Sequence, residues 1–172
     1  MVVLHVWRNF SVSQDVASAL GGTALGLVGS RCWERPSVDW VKLNVSGVVS
    51  LRTSNAACGG VLRDWNGQWV AGFSKGDGIC NAYMAKQWAI YEGLLLAWDL
   101  GYRKLMLESD AMVFVSSVLS GNSDSVSLLF LKIKDLLARD WSVNISHIPR
   151  SVNRVADAMA KMGLSRNAIL GV

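Results

Sequence analysis

Proline is nearly absent, with 2 in 172 residues, and charged side chains make up only 17% against 51% apolar. A chain with this much apolar material and so little charge has enough to bury and is not of the disordered class. Histidine and cysteine are scarce as well. Cys32, Cys58 and Cys80 lie far apart with no Cys-x-x-Cys pair, and the only histidines are His5 and His147. The clustered ligands of a zinc site are therefore missing. Unclustered cysteines, odd in number, agree with small buried hydrophobes in a reducing intracellular compartment, nucleus or cytoplasm. Long apolar runs are missing too. Gly and Ser interrupt the segment from Ala17 to Val28, short of the roughly 18 to 20 residues that span a bilayer. As a secretory signal that segment would have only Arg8 as its basic end and a late, Gly-rich core, so no membrane partner is expected.

The length suits one domain with a short extra segment. Met1 to Asn9 mixes Val, Leu and Trp, and Ser11 to Ser30 is rich in Ser, Ala and Gly without a clear period. Residues 1–32 read as a leader with one marginal helix at Gln14 to Ala24, residues 33–164 as the domain, and residues 165–172 as a tail. From Trp33 the chain is patterned. Val41 to Val48 alternates at period two, which predicts a half-buried strand with Leu43 and Val45 on one face and Lys42, Asn44 and Ser46 on the other. Strands at Cys58 to Arg63 and Gln68 to Phe73 flank Asn66-Gly67, a hairpin signal because both residues tolerate positive φ.

Asn81 to Leu100 reads as a long helix, with Met84, Trp88, Tyr91, Leu95 and Trp98 at three- and four-residue spacing and Gly101 as its stop. Lys104 to Glu108 is a short strand with Asp110 just past its carboxyl end. Helices at Ala111 to Leu119 and Val126 to Arg139, a strand at Ser142 to Ile148 and a helix at Asn153 to Met162 complete the order βββ-α-β-α-α-β-α. That order implies an α/β class fold, a five-stranded mixed sheet flanked by helices.

Functional groups gather at strand ends and helix N-termini in such sheets, so Asp110, Asp157 and His147 could converge on one site. Asp157 would equally serve a helix N-terminus as a dipole-compatible carboxylate, and His147 would equally be a loop histidine.

The strings Trp40-Val-Lys-Leu-Asn-Val-Ser-Gly47, Cys58-Gly-Gly-Val-Leu-Arg-Asp-Trp-Asn-Gly67, Ala89-Ile-Tyr-Glu-Gly-Leu94, Leu107-Glu-Ser-Asp110 and His147-Ile-Pro-Arg-Ser-Val-Asn-Arg-Val-Ala-Asp157-Ala-Met-Ala-Lys161 occur in that order. Together they closely resemble the ribonuclease H-like domain of plant non-LTR retroelements and their domesticated relatives. The resemblance implies a ribonuclease H-like fold and an endonuclease that cuts the RNA strand of an RNA–DNA hybrid. It also implies two Mg2+ (or Mn2+) ions held about 4 Å apart by clustered carboxylates. Two of the family's four carboxylates map onto Asp110 and Asp157, and its flexible-loop histidine onto His147.

The other two carboxylates are missing. Ser46 stands at the first-strand aspartate and Lys86 at the helix glutamate, while Ser151 replaces a further glutamate. A lysine and a divalent ion about 4 Å apart repel by roughly 8 kcal/mol at an effective dielectric near 20, before the flexible side chain relaxes. Lys86 would instead pair with Asp110 or Asp157, leaving a site charge of −1. Loss of hybrid cleavage is the expectation, with Glu108 and Asp64 left open as replacement ligands. Net charge gives the same message. Acids at 46 and 151 would each lower it by one and a glutamate at 86 by two, which removes the whole +4.

Nucleic-acid binding can outlast lost catalysis, because phosphate contacts are spread over a surface. Gly47, Arg63, Lys75, Arg103, Lys104, Arg150, Asn153 and Arg154 are candidates, with solvated surface charge as the alternative for the basic ones. Gly47, Gly59 and Gly60 allow either close approach of a substrate or a bulge. The tryptophans suit packing, with base stacking as the lesser option. Besides an active enzyme, a non-catalytic nucleic-acid or protein interaction module and a decaying retroelement fragment remain open.

Overall fold

The computed structural model describes residues 4–7, 32–120 and 127–169. Six strands form one sheet in the order β1-β4-β3-β2-β5-β6. They are β1 Leu4–Trp7, β2 Val41–Val49, β3 Asn55–Arg63, β4 Trp69–Ile79, β5 Lys104–Ser109 and β6 Ser142–His147. Contacts from β1 through β2 are antiparallel, and β2–β5 and β5–β6 are parallel. Four helices accompany the sheet: α1 Ala82–Asp99, α2 Met112–Ser120, α3 Leu128–Leu137 and α4 Arg154–Ile169. Among the described residues no helix is long and apolar enough to cross a membrane.

Local chemistry explains the boundaries. Asp64 Oδ1 accepts the backbone N–H groups of Asn66 and Gln68 at 2.9 and 2.8 Å, and Gly67 closes the β3–β4 turn at φ 79°. Asn81 caps α1 by accepting the Met84 N–H at 2.9 Å, and Gly101 at φ 86° turns the chain out of it. Ser127 caps α3 by accepting the Phe130 N–H at 3.1 Å, while its own hydroxyl donates to Gln87 Oε1 at 2.9 Å.

The core lies between the sheet and α1, where Leu43, Phe73, Ile90, Leu94, Leu105 and Leu107 are fully buried. Phe114 and Phe130 close its far side edge to face, ring centroids 5.7 Å apart. Each such side chain contributes about 1.5–3 kcal/mol of burial free energy. The α4 helix covers the other face. A Cβ on Gly59 would collide with the backbone of Met159 and Ala160, and one on Gly47 with that of Ala85 and Lys86. These glycines admit helices rather than a substrate, and Gly60 faces the Phe73 ring. Gly59→Ala is expected to cost about 1–3 kcal/mol in urea unfolding, since a helix backbone has to move. An unchanged midpoint would show that α4 is loosely seated.

Several expectations need correction. β2 is buried along Val41–Val48 on both faces, not half-buried, because α4 and the Trp33 segment cover Lys42, Asn44 and Ser46. β4 runs six residues past Phe73, with bulges against β3. Part of the leader, Leu4–Trp7, pairs with β4 as a sixth strand, and α4 continues past residue 164 to Ile169. The helix expected at Gln14 to Ala24 lies outside the described residues.

Candidate functional site

Parallel pairing brings the carboxyl ends of three strands together. Val45 is opposite Ser109 across β2 and β5, and Ser109 is opposite His147 across β5 and β6. Ser46 therefore lies where β5 ends, and the chain leaves β5 directly into Asp110. The close approach at Gly47 brings the first turns of α1, and Lys86 with them, to the same place. On the opposite face Asn153 Nδ2 donates to Val45 O at 2.8 Å, which pins the start of α4 there. Asp157 follows in its first turn. Topology thus gathers Ser46, Lys86, Asp110 and Asp157 at one end of the sheet.

Asp110 and Asp157 both already hold cations. Lys86 Nζ is 3.4 Å from Asp110 Oδ1, an oxygen that is buried and has no hydrogen-bond partner. Asp157 receives Arg150 Nη2 at 3.0 Å on one oxygen and Lys161 Nζ at 2.6 Å on the other. Burial pushes the Asp157 pKa up, but hydrogen bonds from Lys161 and Arg150, with their charges, outweigh it and hold the carboxyl below its usual value. Two carboxylates and three cations leave the site at +1. The sequence count of −1 omitted Arg150 and Lys161. The i,i+4 spacing of Asp157 and Lys161 on one helix was the available signal.

This donor set does not fit a pair of Mg2+ ions. One of the four positions offers a hydroxyl at a residue 2% exposed, one an ammonium, and two carboxylates already engaged. Among the described residues no group of three or more Asp, Glu, His or Cys side chains could hold a metal. The replacement ligands left open by the sequence are committed elsewhere. Glu108 takes Lys42 at 2.7 Å and Asn44 at 2.8 Å, and Asp64 is spent in its turn. His147 is exposed and lines a cleft with Glu34, Lys42 and Glu108, without an ion pair to either aspartate.

The basic candidates separate in the same way. Arg150 and Arg154 are exposed and line an open groove with Asp157 and Lys161 along α4. Arg63 stacks over the Trp33 ring at 4.5 Å, and burial lowers its pKa. Arg103 stacks over Trp98 at 3.8 Å and donates to the carbonyls of Trp98 and Tyr102. Lys104 is exposed at the start of β5, the end of the strand away from Asp110. Asn153 is buried as the α4 anchor, and Ser151 is exposed. Lys75 is not surface charge at all. It pairs with Glu92 at 2.6 Å and Asp77 at 3.8 Å under the Trp88 ring, and Asp77 also accepts the Cys58 thiol. The tryptophans mostly pack: Trp98 meets Trp141 edge to face at 5.3 Å, and Trp33 donates to Asn44.

Comparison with known proteins agrees with this architecture. The reverse transcriptase-like family model matches residues 44–163. The chain is 41% identical over 135 residues, 77% of its length, to an Arabidopsis thaliana protein named "Putative ribonuclease H protein", of which it spans 22%. RNase H1 from the halophilic archaeon Halobacterium salinarum superposes with a TM-score of 0.65 at 26% identity, covering 74% of this chain and 98% of that one. LC11-RNase H1, solved in complex with an RNA/DNA hybrid, gives 0.68 at 18% identity, over 74% and 99% of the two chains. With the family's motifs in order on the family's fold, the chain belongs to the reverse transcriptase-like family of ribonuclease H-type domains.

Proposed function

We propose that this domain binds nucleic acid, an RNA–DNA hybrid or RNA, and does not cut it. The observation that carries the reading is the Lys86–Asp110 pair at 3.4 Å. Two-metal hydrolysis needs concentrated negative charge to collect two divalent ions. At the position of one required carboxylate this chain places a positive charge, and the site sums to +1. Binding draws its support from elsewhere: the fold is shared with a protein solved on a hybrid, and Arg150, Arg154 and Lys161 line an exposed groove beside the site.

A turnover assay on an RNA–DNA hybrid with Mg2+ or Mn2+ tests the catalytic half of the proposal, and no cleavage above buffer is expected. Metal-dependent cleavage that disappears in Asp110→Asn would overturn it. A titration over salt against hybrid, duplex RNA and single strands tests the binding half. Weak affinity that ignores the substrate would favour a retroelement fragment without a selected partner.

A further inference from the structure

We infer that the Lys86–Asp110 pair is a built-in counter-ion that lets the site take a phosphodiester backbone with no divalent metal. The inference rests on the nucleic-acid reading above and deepens it. A bare cluster of carboxylates repels a polyanion, so close approach to such a cluster depends on bound metal. Here the repulsion is removed by side chains. Lys86 covers Asp110, and Arg150 and Lys161 bracket Asp157.

Lys86 is placed to do more than neutralise. Its ammonium has three N–H donors, and at 3.4 Å the Asp110 oxygen forms an ion pair with it but no hydrogen bond. The side chain is 26% exposed, and a phosphate oxygen brought to it would give those donors an acceptor. Its position is held from both directions. Gly47 seats the α1 backbone at Lys86 against β2, and the Asp110 carboxylate, 9% exposed, aims the ammonium at the strand ends. Arg150 and Lys161, 66% and 60% exposed, line the groove along α4 with Asp157 between them. A phosphodiester taken there meets a net charge of +1 from three cations and two carboxylates, whereas a divalent ion would be repelled.

The test is fluorescence anisotropy of a labelled RNA–DNA hybrid with the full chain, in MgCl2 and in EDTA at matched ionic strength. The wild type is expected to bind equally in both. Lys86→Met should weaken binding in EDTA about ten-fold or more, the worth of a charge-assisted hydrogen bond, and should flatten the salt dependence by about one phosphate contact. Lys86→Glu should bind more weakly still in EDTA and recover on adding Mg2+. Circular dichroism melts separate these losses from unfolding. Wild-type binding that collapses in EDTA, or folded Lys86→Met with wild-type affinity there, overturns the metal-free site and leaves the nucleic-acid reading standing. Absence of wild-type binding in both buffers overturns the reading and the inference together.

Discussion

Changing Ser46 to Asp and Lys86 to Glu together is expected to give a chain whose stability depends on Mg2+. The double variant places four carboxylates at one end of the sheet and leaves Arg150 and Lys161 both on Asp157. Ser46 is 2% exposed, so an aspartate there in EDTA is a buried charge without a partner, which is destabilising. Saturating Mg2+ supplies the partner. At about 100 times its dissociation constant a ligand adds about 2.7 kcal/mol, or roughly 5–10 °C in melting temperature for a domain of this size. The parent should move by less than a degree or so under the same mass-action rule. Ser46→Asp alone should show little metal dependence, because Lys86 remains to neutralise the new carboxylate. A folded double variant whose melting ignores Mg2+ would mean that the backbone at these four positions no longer matches a metal cluster.

Lys75→Met is expected to be the most damaging single substitution away from the site. Among the described residues Lys75 is the cation paired with the buried carboxylates of Glu92 and Asp77, at 2.6 and 3.8 Å. Asp77 is the extra residue of a bulge, since Ala56 pairs with Gly78 and Ala57 with Gly76. Its side chain is fully covered. Burial pushes its pKa up to about 6 even though Lys75 pulls it down, and also raises the Cys58 thiol that donates to it. Removing one partner of a buried ion pair costs about 3–5 kcal/mol, and the lost Lys75 contact with Trp88 adds to it.

The cost should depend on pH. Between the ordinary value of 3.8 and about 6 the folded chain keeps a proton on Asp77 that the unfolded chain has released. Stability from this group therefore falls as pH rises through that window. Without Lys75 the Asp77 pKa climbs further, so Lys75→Met should be least harmful near pH 4 and worst above pH 7. Urea unfolding at both ends of the range checks this, and a penalty independent of pH would mean the loss is one of packing alone.

Local pattern made much of this legible. Alternation, turn residues and helical spacing put nine of the ten described elements in the right order, because each depends on neighbours a few residues away. The errors lay where distant segments meet. β2 alternates like a half-exposed strand, yet its polar face is covered by α4 and by Trp33, with Lys42, Asn44 and Glu108 satisfying one another underneath. Lys75 resembles any basic surface residue until β4 runs on through it and α1 lies over it. Glycines 47 and 59, which invited thoughts of a substrate, are occupied by helix backbone.

What the sequence determined by itself is chemical identity: which motifs are present and in what order, and that a serine stands at position 46 and a lysine at position 86. Those facts are covalent and need no coordinates. What the sequence left open was how each charge is answered. Lys86 had two aspartates to choose from. Tertiary structure decided for Asp110, because the close approach at Gly47 seats α1 beside the end of β5, while Arg150 and Lys161 already occupy Asp157 from within its own segment. Electrostatic interaction falls off with distance through space, and only the packed sheet and helices set those distances.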